Sequence, residues 1–189
     1  MDIKLNFVIM RYSLAFLILF ILSTTQTNAQ DWVWGLKATG DHQNSDDTDI
    51  AVANDGNAVI AGYYKKSMIL DGHSLYTTDD YYSDIFLGSL NPDGHVKWLI
   101  SIEAGRTYSY DIGVALDDDK NIYLTGSRNG FIFVSKYDST GVLIWNTDFD
   151  KKYNGYGNDI AIDQFDNVFV IGGGGWNFFM AKLNFYGET

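Results

Sequence analysis

The chain of 189 residues contains no cysteine, one proline and, among its 24 acidic residues, only two glutamates, Glu103 and Glu188. Without cysteine it forms neither a disulfide framework nor a thiolate metal site. The acidic side chains are therefore almost all Asp, which suits turns and caps better than helix interiors, so long helices are not expected. Lys and Arg together number 13, giving a formal charge of −11. That balance excludes a nucleic-acid backbone or an anionic lipid surface as a partner, because each requires a cationic footprint. What is abundant is glycine, 19 residues, and aromatic side chains, with 5 Trp, 13 Tyr and 12 Phe. This composition fits an all-β protein.

The longest apolar run, Leu14 to Leu22, follows Lys4 and Arg11 and precedes the polar stretch Ser23 to Asn28 and then Ala29. It is far shorter than the roughly 20 residues a spanning helix needs, and it reads as the core of a secretory signal peptide. Thr27-Asn28-Ala29 offers a small-residue cleavage site, so the expected division is a signal peptide over residues 1–29 and a mature domain over 30–189. Leaving out residues 1–29 removes Lys4, Arg11 and Asp2 and takes the formal charge from −11 to −12. The expected location is secreted, periplasmic or cell-surface, with no membrane span after cleavage and no cysteine for lipid attachment.

The mature region repeats itself. IAVANDGNAVIAG at 50–62, VALDDDKNIYLTG at 114–126 and IAIDQFDNVFVIG at 160–172 align without a gap. Each places two short apolar runs around a polar turn ending in Asn57, Asn121 or Asn167, which is hairpin grammar. A second block follows each first one: DIFLGSLNPDG at 84–94, FIFVSKYDSTG at 131–141 and FFMAKLNFYG at 178–187. In the first two copies a Trp stands four residues after the turn glycine, at Gly94 to Trp98 and Gly141 to Trp145. Trp34 and Trp98 are 64 residues apart and Trp98 and Trp145 are 47 apart; the excess lies between Gly62 and Ile85, so the first repeat carries an inserted loop. Four strands in a period of about 45–50 residues is the pattern of a β-propeller blade. The expected fold is a β-propeller-like array of about three four-stranded blades, incomplete or open, with units near 34–97, 98–144 and 145–189.

The repeat resembles the SBBP β-propeller repeat family, and its long first copy, with Asp71-Gly72-His73-Ser74-Leu75, looks like the variant of Bacteroidetes-type secreted repeat proteins. The residues that carry the resemblance are Val114-Ala115-Leu116-Asp117, Asn121 to Gly126, Val134-Ser135-Lys136-Tyr137-Asp138, and Gly141 to Trp145. Two positions depart from the other copies: Ala53 where they have Asp, and Ser89 where they have Lys136 and Lys182. The segment Trp32-Val33-Trp34-Gly35-Leu36 matches the fourth strand, so the two ends of the repeat region are complementary. Propellers close with roughly four to eight blades. Three blades therefore point to a longer repeat protein or to assembly of two or more chains.

No arrangement expected for catalysis stands out. Asp117-Asp118-Asp119 aligns with ordinary hairpin turns, and consecutive carboxylates diverge where a calcium loop needs alternating ligands. His42, His73 and His95 fall in unrelated loops without metal or triad spacing. Gly172-Gly173-Gly174-Gly175 opens no helix, so it is read as a turn between strands and not as a phosphate loop. The tryptophans also resemble the docking motif of quinoprotein dehydrogenases, which packs blades together. They are expected to be inter-blade core, as are Phe131, Phe133, Phe169, Phe178 and Phe179. No metal and no cofactor is expected.

The remaining candidates lie in the connections between blades, at 39–49, 104–113 and 150–159. Asp49, Arg106, Tyr108, Tyr110, Asp111, Tyr153, Asn154, Tyr156 and Asp159 combine aromatic faces with hydrogen-bonding groups that could hold a sugar or anchor a protein. The expected role is a secreted or surface repeat module that binds protein or glycan without catalysis. The alternatives are a propeller enzyme, polysaccharide-acting or quinoprotein-like, and a truncated product without independent function.

Overall fold

The computed structural model describes residues 33–40, 47–78, 80–107, 111–149, 155–174 and 177–188. Residues 1–29, the expected signal peptide, lie outside these segments. Thirteen strands are present among these residues: β1 (Thr48–Val52), β2 (Ala58–Tyr64), β3 (Ser67–Leu70), β4 (His73–Tyr76), β5 (Asp84–Leu90), β6 (Val96–Ile102), β7 (Gly113–Leu116), β8 (Ile122–Arg128), β9 (Phe131–Tyr137), β10 (Leu143–Asp148), β11 (Tyr156–Ile162), β12 (Val168–Gly174) and β13 (Asn177–Leu183). The described residues contain no helix, and so none long and apolar enough to cross a membrane.

The strands form four antiparallel sheets that do not close into a barrel. The first sheet runs β1-β2-β5-β6, the second β7-β8-β9-β10 and the third β11-β12-β13; β3 and β4 pair only with each other. The inserted loop of the first repeat is thus a hairpin of its own, bridged to the segment before β1 through Thr39 and Ile69. His73 opens β4 and is not a loop residue. Gly172, Gly173 and Gly174 also belong to a strand, β12, where Gly172 and Gly173 pair with Gly157 and Tyr156 of β11.

The first turn of each sheet closes the same way. Ala53, Asp117 and Asp163 donate their N–H groups to the carbonyls of Asn57, Asn121 and Asn167. The Asp117 and Asp163 carboxylates accept the N–H groups of Asn121 and Asn167 at 2.8 and 3.0 Å. Ala53 has no carboxylate to do this, and Asp55 accepts from Asn57 instead, at 3.2 Å. The run Asp117-Asp118-Asp119 is therefore the ordinary hairpin turn its alignment predicts.

The three larger sheets pack face on face. Between the first and second lie Val59, Ala61, Tyr63, Ile85 and Leu87 against Val114, Ile122, Leu124, Phe133 and Tyr137. Between the second and third lie Tyr123 and Val134 against Ile160, Val168, Val170 and Leu183. One polar clasp sits inside the first of these cores. The buried Tyr63 hydroxyl donates to the Ser127 carbonyl at 3.0 Å and accepts from the Ser127 N–H at 2.8 Å. Tyr63→Phe strands both backbone groups away from water, so it is expected to cost about 1–3 kcal/mol in chemical denaturation. A change below about 0.5 kcal/mol would show that water replaces the hydroxyl.

Each tryptophan of the repeat joins one sheet to the next. A bulge at Lys97 in β6, matched by one at Ile144 in β10, turns the side chain that follows toward the neighbouring sheet. Trp98 donates Nε1–H to the Ser139 carbonyl at 3.2 Å, and Trp145 donates to the Phe185 carbonyl at 3.1 Å. Trp34 makes the same bond to Pro92, at 3.1 Å, although residues 34–38 form no strand. Beneath each indole is the turn glycine, Gly94, Gly141 or Gly187. All three have positive φ; a side chain on Gly94 or Gly187 would run into the ring, and one on Gly141 would press within 3.2 Å of it. Trp98 and Trp145 are packed into the inter-sheet cores, as their spacing predicts.

Candidate functional site

The connection residues singled out by sequence are only partly inside the described structure. Tyr108, Tyr110, Tyr153 and Asn154 lie outside it. Tyr156 and Asp159 belong to β11, and Asp49 to β1, so these three are strand residues and not loop residues. Asp49 accepts the N–H of Ile50 and, across the junction, the N–H of Val114, both at 2.8 Å. Its carboxylate therefore ties β1 to β7. Asp159 stands at the equivalent place in the third sheet and accepts the N–H of Ile160 at 2.8 Å. The second sheet has Gly113 there, because an added Cβ would come within 2.8 Å of the Asp159 backbone. Asp111, half-buried before β7, and the exposed Arg106 both engage other groups of the fold.

A different site lies between the first and second sheets, at the end that carries the hairpin turns. A hollow of about 300 Å³ opens there. Its floor is Val59, Ser89 and Ile122, all buried. Trp98 forms a wall, its ring resting against Gly141. The rim carries Lys97, Ser139, Thr140 and an ion pair, Lys120 to Asp55 at 2.5 Å. The Lys120 ammonium, followed by the Asn57 backbone N–H, lowers the Asp55 carboxyl to about 2. Asp55 is thus ionised at neutral pH and is occupied as a hydrogen-bond acceptor; it has no proton to give.

The corresponding place between the second and third sheets is filled. Lys136 reaches into it with its side chain 2% exposed, and its Nζ lies 3.4 Å from Oδ2 of Asp117, itself 3% exposed. The ammonium also sits over two ring faces, 4.7 Å from the centre of Tyr123 and 3.9 Å from that of Phe185. Asp117 accepts from the Tyr123 hydroxyl at 3.1 Å and from the Asn121 side chain at 2.8 Å. Burial, reinforced by the neighbouring Asp117, raises the Tyr123 hydroxyl above its ordinary range. This buried set is a plug that closes the junction.

The sequence signals for the hollow were Ala53 and Ser89, the two positions that depart from the other copies. What those departures do depends on strand register. Val59 pairs with Ser89 and Ser89 with Trp98, just as Tyr123 pairs with Lys136 and Lys136 with Trp145. Among the described residues no group of three His, Asp or Glu gathers as a metal site. No protein-family model matches this sequence, and no curated protein matches it either.

Proposed function

We propose that this chain is a secreted or cell-surface binding module of the β-propeller type, whose ligand is a glycan or a protein, and that it catalyses no reaction. The observation that carries the reading is the hollow between the first two sheets: an aromatic wall, a buried floor and a polar rim, with its one carboxylate held ionised by a lysine. Such a recess binds by shape and hydrogen bonding. It lacks the pair of carboxyls, one protonated and one not, that glycoside hydrolysis requires.

Three features support the propeller arrangement. Successive antiparallel sheets stack face on face, the innermost strands β1, β7 and β11 run in contact from sheet to sheet, and a tryptophan docks on each following turn. Secretion is supported by the pattern of Lys4, Arg11, the Leu14 to Leu22 run and Thr27-Asn28-Ala29.

The test is to apply the purified chain to a glycan array and, in parallel, to incubate it with the same polysaccharides. Retention without release of reducing ends is the expected result. Release of reducing ends by the chain would reverse the assignment in favour of a polysaccharide-acting enzyme.

A further inference from the structure

The plug between the second and third sheets has four parts: Asp117, Tyr123, Lys136 and, from the following sheet, Phe185. The repeat alignment and the strand register place Ala53, Val59, Ser89 and Ser139 at the same four positions one sheet earlier. All four are smaller, all four line the hollow, and Trp98 beside them is kept. A single truncation in a packed junction leaves a void that destabilises the fold. Four at one place, three of them contributed by separate strands and turns of the first sheet and one by the second, leave a shaped recess with an entrance.

We propose that this recess binds one pyranose ring of a glycan, neutral or carrying a single carboxylate. The proposal rests on the reading of the chain as a binding module and names the site and the ligand class. Size is the first argument: about 300 Å³ is at the low end of the roughly 300–1,000 Å³ of ligand pockets, room for one ring and not for a chain. Shape is the second. Trp98, which lines the recess, brings aromatic surface of the kind on which the C–H face of a sugar packs. Hydrogen-bonding chemistry is the third: the lining includes the Ser89 and Ser139 hydroxyls, while Thr140 bonds Asp138 and Asn57 bonds Asp55, so a sugar would share or replace those bonds at the rim. Charge excludes the obvious competitor, an ammonium ligand standing in for the missing lysine. The carboxylate and both rings that cradle Lys136 are replaced by Ala53, Val59 and Ser139. The rim instead carries Lys97 and Lys120 against Asp55 alone.

The experiment uses the full chain with free D-glucose, D-galactose, N-acetyl-D-glucosamine and D-glucuronate, observed by saturation-transfer NMR and calorimetric titration. At least one of the four should bind. Ala53→Asp with Ser89→Lys rebuilds the plug and should weaken that binding at least about tenfold, as expected when a pocket of this size is filled. Should the double variant fail to fold, Ser89→Leu fills the floor without adding charge and should have the same effect. Absence of saturation transfer to all four sugars, or undiminished binding by a folded variant with the recess filled, overturns the proposal. Array binding that survives in the filled variant places the ligand elsewhere, and in that event the module reading stands while this site falls.

Discussion

Lys136→Met is expected to lower the stability of the chain by about 3–5 kcal/mol, the range seen when one partner of a buried ion pair is removed. Methionine nearly preserves the shape of the side chain and its contact with the Tyr123 and Phe185 rings, so little of the loss would come from a cavity. What it removes is the cation paired with Asp117, whose side chain is as buried as that of Lys136. The Lys136 ammonium finds no acceptor in hydrogen-bonding geometry among the described residues. It is therefore held by the nearby carboxylate and two ring faces, an arrangement that depends on Asp117 staying charged. Asp117 would in turn retain its bonds from Asn121 and Tyr123 but bury an uncompensated charge. Adding Asp117→Asn should recover much of the loss, because no charge then remains buried. Urea denaturation of the two variants decides the matter: a single variant within about 1 kcal/mol of the parent would show that water reaches the ammonium.

The second large effect is expected at Phe133. The side chain is fully buried between the first and second sheets, and the Arg128 guanidinium covers its ring at 4.9 Å. Phe133→Ala should cost about 3–5 kcal/mol, combining lost transfer energy with the cavity left behind. The informative control is Phe178→Ala in the third sheet. Phe178 aligns with Ile132, which is 1% exposed, yet it is itself 76% exposed. Its truncation should change stability by less than about 0.5 kcal/mol. Thermal or urea melts that gave the two alanines equal costs would mean that Phe178 is covered in solution.

That contrast marks what the sequence could and could not convey. The repeat, its hairpin turns, the inserted segment and the docking role of the tryptophans were all readable, because each is a local pattern recurring at a fixed offset. The expected core role of Phe178 was not met, for a reason outside its own strand. A side chain at an inward-facing register is buried only when another sheet lies over it, and among the described residues none lies over Phe178. The glycines of β12 were misread as a turn because composition cannot distinguish a flexible link from a strand that needs close backbone approach. Of the connection residues, Asp49 looked like a ligand group but spends its carboxylate on the N–H groups of Ile50 and Val114. Its recurrence as Asp159 at the same repeat position was the available clue to a structural role. The hollow was half legible. Ala53 and Ser89 stood out in the alignment, whereas Val59 and Ser139 gained meaning only once register and stacking set all four around Trp98.

The two outer faces of the stack are unlike. Behind the first sheet, Met68, Leu70 and Leu75 of the β3–β4 hairpin cover Ala58, Phe86 and Leu90, although Ile50 and Val52 of β1 stay exposed. Beyond the third sheet, Phe178, Met180 and Ile171 face outward with nothing described above them. A stack covered by a hairpin at one end and bare at the other has a direction. The two ends therefore offer solvent different surfaces: the β3–β4 hairpin at one, and Phe178, Met180 and Ile171 at the other.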